Sequence, residues 1–181
     1  MTSLPDKIIA LHRALDAAAI PHAFGGALAL AWCTERARGT IDIDLNVFID
    51  ATRAGETLSA LPPGVIWSAT DRAAVESEGQ TRLWWESTPI DLFLNTTDFH
   101  AQLADRARTE VFAGADVPFL SCTDLAVFKA FFNRTKDWAD LEAMAGAGTL
   151  DLDRVVGVLS RYLGPSDERI ERLRGLFRGE T

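Results

Sequence analysis

The sequence predicts an α+β fold: a mixed sheet with flanking helices over residues 1–120, followed by a C-terminal helical bundle over residues 121–181. Three observations predict it. Apolar residues recur at every second place of "TIDIDLNVFI" (Thr40–Ile49), against Asp42, Asp44, Asn46 and Phe48, the period of a strand with one largely polar face. Short apolar runs bounded by Gly and Pro continue as far as Pro118. From Ser121 onward the apolar spacing is helical and is punctuated by Gly146, Gly148 and Gly164-Pro165.

Taken in chain order, Ser3-Leu4-Pro5-Asp6 has the form of a capping box with Pro in the first turn. Leu4, Ile8, Leu11 and Leu15 then follow at helical spacing, so a first helix is expected to about Ala19, stopped by Pro21. "HAFGG" reads as a short strand ending in glycines, and "ALALAWC" as a buried helix. After the strand at Thr40–Ile49, a helix is expected from Arg53 to Leu61, ended by Pro62-Pro63. Strands are expected at Val65–Ala69, Ala73–Glu78, Thr81–Glu86 and Ile90–Leu94, then a helix at Asp98–Ala107 and two strands flanking Gly114. Ser121-Cys122-Thr123-Asp124 resembles a second capping box, and helices are expected at Leu125–Ala145, Leu152–Leu163 and Ser166–Phe177.

Composition narrows the function classes. At 181 residues and 48% hydrophobic, the chain can bury a real core. No long uncharged apolar run is present and the first residues lack the pattern of a secretory signal, so a cytoplasmic protein without a membrane partner is expected. Cys33 and Cys122 lack metal or redox spacing and read as two buried thiols in a reducing compartment. The net charge of −8 supplies no general field for nucleic acid, so a polyanionic partner would need a local patch or metal ions.

The chemistry concentrates between Phe24 and Ile49. Asp42 and Asp44 lie two apart in a strand and so share a face. Two carboxylates this close repel unless a proton or cation intervenes, and hard oxygen ligands suit Mg2+ or Mn2+. The same alternation also describes a solvated strand face. What separates the two is the Gly25-Gly26 pair upstream, at a strand-to-helix handover, where bare backbone N–H groups can approach a phosphate.

A glycine pair, a gap and "TIDIDL" resemble the nucleotidyltransferase superfamily with the DNA polymerase beta-like fold. That resemblance implies a third carboxylate on a later strand, here Asp91 in "TPIDLFL". It further implies that Asp42, Asp44 and Asp91 hold divalent metal ions, with Asp91 also orienting or deprotonating the attacking hydroxyl, while an NTP gives up its NMP and pyrophosphate leaves. In the same frame Gly25 and Gly26 seat phosphate. Thr40 either bonds a phosphate or simply favours the strand.

A second stretch, "TDLAVFKAFFNRTKDWADLEAM", puts Lys129, Asn133, Lys136 and Asp140 on one face if it forms a single helix. That stripe could grip a triphosphate or could be an ordinary solvated face, and a new helix capped at Thr135 would break it. "LSCTDLAVFKAFFNRTKDWADL" resembles the helix after the catalytic domain in AbiEii-type nucleotidyltransferase toxins of type IV toxin–antitoxin systems. The likeness rests on Lys129, Arg134, Lys136, Asp137 and Asp140, and implies that Lys129 contacts nucleotide phosphates and that Asp137 serves the active site. It also implies an acceptor at the 3′ end of tRNA and a cognate antitoxin as partner. Two other readings stay open: transfer to a small, aminoglycoside-like acceptor, which the acidic balance suits, and a catalytically inactive nucleotide-binding module.

Among the weaker features, one ring of Trp84-Trp85 is expected in the core and one at the rim. His12, His22 and His100 lack ligand spacing, and Arg36 and Arg38 are phosphate or RNA candidates. Arg169, Arg172, Arg174 and Arg178 form a basic cluster that either touches RNA or pairs with nearby acids.

Overall fold

The computed structural model describes residues 1–36 and 39–178. The chain divides into two compact units, Met1–Leu28 with Gly39–Leu120, and Ala29–Arg38 with Ser121–Thr181.

The first unit opens with α1 (Leu4–Ala17), capped by the Ser3 hydroxyl, which accepts from the Asp6 N–H. Ile8, Leu11 and Leu15 are fully buried along it. So is Lys7, whose ammonium donates to the Trp85 carbonyl and the Thr88 hydroxyl and pairs with Glu86 at 3.0 Å. A buried lysine is tolerable only when its donors are met in this way. Strand β1 (His22–Phe24) leads into α2 (Gly26–Thr34), along which the chain passes from the first unit into the second.

Next come β2 (Ile43–Asp50), a 3-10 turn, α3 (Ala54–Ala60), β3 (Val65–Ile66), α4 (Ala69–Glu78), β4 (Gln80–Trp85) and β5 (Thr88–Asn95). A short α5 (Asp98–Ala101), another 3-10 turn, β6 (Arg108–Phe112) and β7 (Ala115–Phe119) complete the unit. The sheet runs β3-β4-β5-β2-β1-β7-β6. β2 is parallel to β5 and antiparallel to β1, β7 is parallel to β1, and the remaining pairs are antiparallel. Ile43, Leu45 and Val47 of β2 and Ile90, Leu92 and Leu94 of β5 are buried on one face. The alternate residues Asp44, Asn46, Asp91 and Phe93 therefore share the other face. Pairing Arg82↔Asp91 and Trp84↔Pro89 extends that face onto β4.

Within the second unit, α6 (Cys122–Phe132), α7 (Thr135–Gly146), α8 (Leu152–Leu163) and α9 (Glu168–Gly175) pack with Ala126, Val127, Leu141, Met144, Val155, Leu159, Ile170 and Leu173 inside. Ser121, Asp151 and Asp167 cap three of these helices with their side-chain oxygens.

Four sequence expectations are corrected. The segment Ala73–Glu78, expected as a strand, belongs to α4. Its start is set by a reciprocal Ser68/Asp71 capping box and its end by Gly79 at φ +73. The helix expected at Asp98–Ala107 is the short α5 followed by the 3-10 turn Ala104–Arg106. The helix expected from Leu125 to Ala145 is two helices, because Asn133 takes φ +54 and Arg134 is extended. Finally, Cys33 and Cys122 are not free thiols: they form a disulfide across a Cα separation of 5.5 Å, a pairing invisible to linear spacing.

Candidate active site

The open face of the sheet is built around Asp44 and Asp91. They are direct partners across the parallel β2/β5 pair, on strands about 4.8 Å apart, so the two side chains leave the sheet from neighbouring positions on the same face. β1 ends beside them. The Gly25 N–H donates to the Asp44 carbonyl at 2.9 Å, and α2 then starts at Gly26 with φ +55. A Cβ on Gly26 would lie 1.8 Å from Asp44 Oδ2, so only glycine fits there, both for its backbone and for the space. At Gly25 a Cβ would meet Asn46 Nδ2 at 2.9 Å. The glycine pair thus lets the first turn of a helix lie directly against a carboxylate.

Asp42 sits just before β2. Thr40 Oγ1 donates to its Oδ1 at 2.5 Å and contacts its backbone on both sides. Asp91 is held by Arg82, whose Nε and Nη2 donate to its two oxygens at 2.6 and 2.8 Å. The bond to Asp91, reinforced by the nearby charges of Asp91, Asp42 and Asp44, raises the Arg82 pKa above its usual value. Among the described residues no three His, Cys, Asp or Glu side chains converge closely enough to hold a metal ion. Asp42 and Asp91 account for this in part, since each is turned toward its own partner, Thr40 and Arg82. The oxygen donors of Asp44 and Asp91, on adjacent strands beside the Gly25–Gly26 turn, are of the chemical type that suits a hard divalent cation held by one or two carboxylates together with substrate phosphates.

Farther along the same face, next to Asp44 on β2, lies a buried polar pair that sequence spacing does not reveal. Asn46 Oδ1 is 3.2 Å from His100 Nε2, and both residues are nearly inaccessible. Burial pushes the His100 pKa down to about 4 against a partly opposing backbone bond to Leu94. The other two histidines also pair. His22 Nδ1 lies 2.8 Å from the Ile20 carbonyl and so carries its proton, which leaves His22 Nε2 to accept from His12 Nδ1 at 2.9 Å. Burial lowers the pKa of His22 as well. Trp84 is exposed and Trp85 half-buried, so neither ring is the core residue that the sequence led one to expect.

The second unit holds Lys129, Lys136 and Asp137. Lys129 is buried at 7% exposure and its ammonium lies 2.6 Å from Asp140 Oδ2 and 3.8 Å from Asp137 Oδ1. Asp137 also accepts from Arg134 Nε at 2.6 Å and from the Arg134 backbone N–H, closing the start of α7. Lys136 is exposed. The helix break at Asn133 removes the single stripe of Lys129, Asn133, Lys136 and Asp140; in its place stands an internal network of two cations and two carboxylates. The C-terminal arginines are paired: Arg169 with Asp167, Arg174 and Arg178 with Glu171, and Arg172 over the Trp138 ring at 4.2 Å. Arg38 lies outside the described residues.

No protein-family model and no curated protein matches the chain. The fold has known counterparts among solved structures, and it is that of nucleotidyltransferases. The chain is similar to the antibiotic-resistance factor ANT(2'')-Ia in its solution structure, at 19% identity and a TM-score of 0.53, covering 97% of this chain and 91% of that one. It is similar to ANT(2")-Ia in complex with adenylyl-2"-tobramycin at 18% identity and a TM-score of 0.57, covering 98% of each chain. An antigenic nucleotidyltransferase-like protein from Paracoccidioides brasiliensis aligns at 14% identity, with a TM-score of 0.52, over 96% of this chain and 88% of that one.

Proposed function

We propose that this protein is a metal-dependent nucleotidyltransferase that moves an NMP from an NTP to an acceptor hydroxyl. The observation that carries the reading is the Gly26–Asp44 contact, a helix start fitted against a carboxylate that itself stands beside Asp91. In this reading Asp42, Asp44 and Asp91 hold Mg2+ or Mn2+. When bound, the metal neutralises charge on the attacking and leaving oxygens during in-line displacement. The backbone N–H groups after Gly25 orient the triphosphate, helped by the partial positive charge of the α2 start. Thr40 fixes the Asp42 carboxylate, and Asp91 draws the proton from the acceptor hydroxyl once Arg82 has released it. Lys129, Lys136 and Asp137 were expected to serve the nucleotide. The burial of Lys129 and Asp137 in one ion network favours instead a role for those two in holding α6 and α7 together.

For the acceptor, a small cationic molecule is the better supported choice. The chain carries a net charge of −8, and its C-terminal arginines are engaged by its own acids and by Trp138. The solved relative that carries an adenylylated tobramycin is in line with that choice. A tRNA 3′ end, with an antitoxin as partner, is the competing reading suggested by the AbiEii-like stretch. The test is direct. The protein is incubated with each α-labelled NTP, Mg2+ or Mn2+, and either a panel of aminoglycosides or total tRNA. Label on an aminoglycoside supports the small-acceptor reading, and label on tRNA selects the toxin reading. Nucleotide binding without transfer to either leaves an inactive nucleotide-binding module.

A further inference from the structure

One cation already stands on the carboxylate face, and it comes from the protein. Arg82 sits on β4 directly opposite Asp91, with two parallel hydrogen bonds of 2.6 and 2.8 Å to its two oxygens. Such a fork is the strongest geometry open to an arginine–carboxylate pair. Its side chain is 54% exposed whereas that of Asp91 is 22% exposed, so the guanidinium can leave toward solvent without disturbing the core. Asp91 is in turn the cross-strand partner of Asp44, so the ion pair stands next to Asp44 on the same face of the sheet. The position beyond Arg82 on the same face is Trp84, exposed and beside Pro89, and nothing in that alternation requires an arginine for packing.

We propose that Arg82 is a positioning residue whose ion pair with Asp91 and the binding of a divalent cation to the carboxylate face exclude one another. The proposal rests on the nucleotidyltransferase reading above. Without a bound cation Arg82 offsets one of the negative charges of the face and occupies both oxygens of Asp91. For Asp91 to serve a divalent cation the ion pair would have to open, and the exposed guanidinium would then leave toward solvent. Only the fraction of molecules with the pair open is competent for metal, so apparent affinity is reduced by that fraction.

The test measures Mn2+ binding to the full chain in the absence of nucleotide, by titration calorimetry and by the paramagnetic signal of free Mn2+. Arg82→Gln should tighten Mn2+ binding about 5-fold, the worth of an exposed bidentate pair. Arg82→Lys, which keeps the charge and loses the fork, should fall between the two. In an Asp91→Asn background, Arg82→Gln should have little further effect, which separates release of the pair from a general change in field. Melting curves confirm that each variant is folded. Unchanged or weaker Mn2+ binding in Arg82→Gln overturns the inference while the site reading stands. Absence of Mn2+ binding in every variant overturns both. With nucleotide present, the activating metal concentration should fall in Arg82→Gln, whereas a merely structural arginine would leave it unmoved.

Discussion

Asp44 is the residue on which the candidate chemistry turns, because it touches Gly26 on one side and stands beside Asp91 on the other. Asp44→Asn keeps the shape and removes the charge. Transfer should drop by more than about 100-fold, beyond what loss of a supporting partner costs, while the melting temperature holds within a few degrees. Gly26→Ala should fail differently, by strain: a side chain at φ +55 costs about 1–2 kcal/mol even before its clash with Asp44. The parity of Asp42, Asp44 and Asn46 was readable in "TIDIDLN", because a polar residue at every second place of an apolar run needs no partner to be noticed. Arg82 was not readable. Its meaning depends on the register that sets it opposite Asp91, nine residues along the chain, and on its lying on the open face. His100 gives the protein a pH dependence. Its folded value, about 4, lies below the usual 6.5, so between those values the unfolded chain binds more protons than the folded one. The stabilisation from the neutral ring is therefore complete above pH 6.5 and is lost as pH falls toward 4. At about 1.4 kcal/mol per pH unit it is on the order of 3 kcal/mol. Urea unfolding between pH 7.5 and 4.5 should show this loss, and a His100→Asn variant should show a flatter profile.

At the scale of elements, the α6–α7 hairpin is where sequence and structure part. The helical spacing of "VFKAFFNRTKDWADLEAM" is real on both sides of Asn133, and Thr135 was the one sign in the sequence of a second helix start. Asn is one of the few residues that adopts φ above zero with ease, and here it also accepts from Trp138 Nε1 at 2.7 Å, which fixes the turn. Folding back brings Lys129 against Asp137 and Asp140, eight and eleven places along. A lysine that looked like a phosphate ligand is thereby enclosed by carboxylates. Lys129→Met should cost about 3–5 kcal/mol in chemical unfolding, because it strands buried negative charge. Replacing Lys129, Asp137 and Asp140 together by apolar residues should cost much less. A catalytic lysine with no structural duty would instead lose activity at unchanged stability. The α4 segment shows the reverse case: its capping box and Gly79 are present in "SATDRAAVESEG", and these end signals outweigh the sparse apolar spacing of Ala73–Glu78 that suggests a strand.

For the whole molecule, the order of elements outside α4 and the α6–α7 break was legible for a physical reason: period-2 and period-3.6 patterns are set by burial, and burial dominates the energy of both units. Sheet order was not, since which strand lies beside which is decided by long-range packing that no local window contains. The disulfide belongs to this scale too. Cys33 and Cys122 are 89 residues apart, and closing so long a loop restricts the unfolded chain strongly. Reduction should lower stability by about 2–4 kcal/mol, read as a lower melting temperature in dithiothreitol, and a Cys33→Ser/Cys122→Ser variant should match the reduced protein and ignore the reductant. The bond also makes a covalent ring out of most of the sheet. A protease that severs the backbone once inside that ring, for instance at the Ala113–Gly114 turn between β6 and β7, frees no fragment. The nicked protein should migrate as one species without thiol and as two with it, its halves leashed to each other long after the chain has been broken.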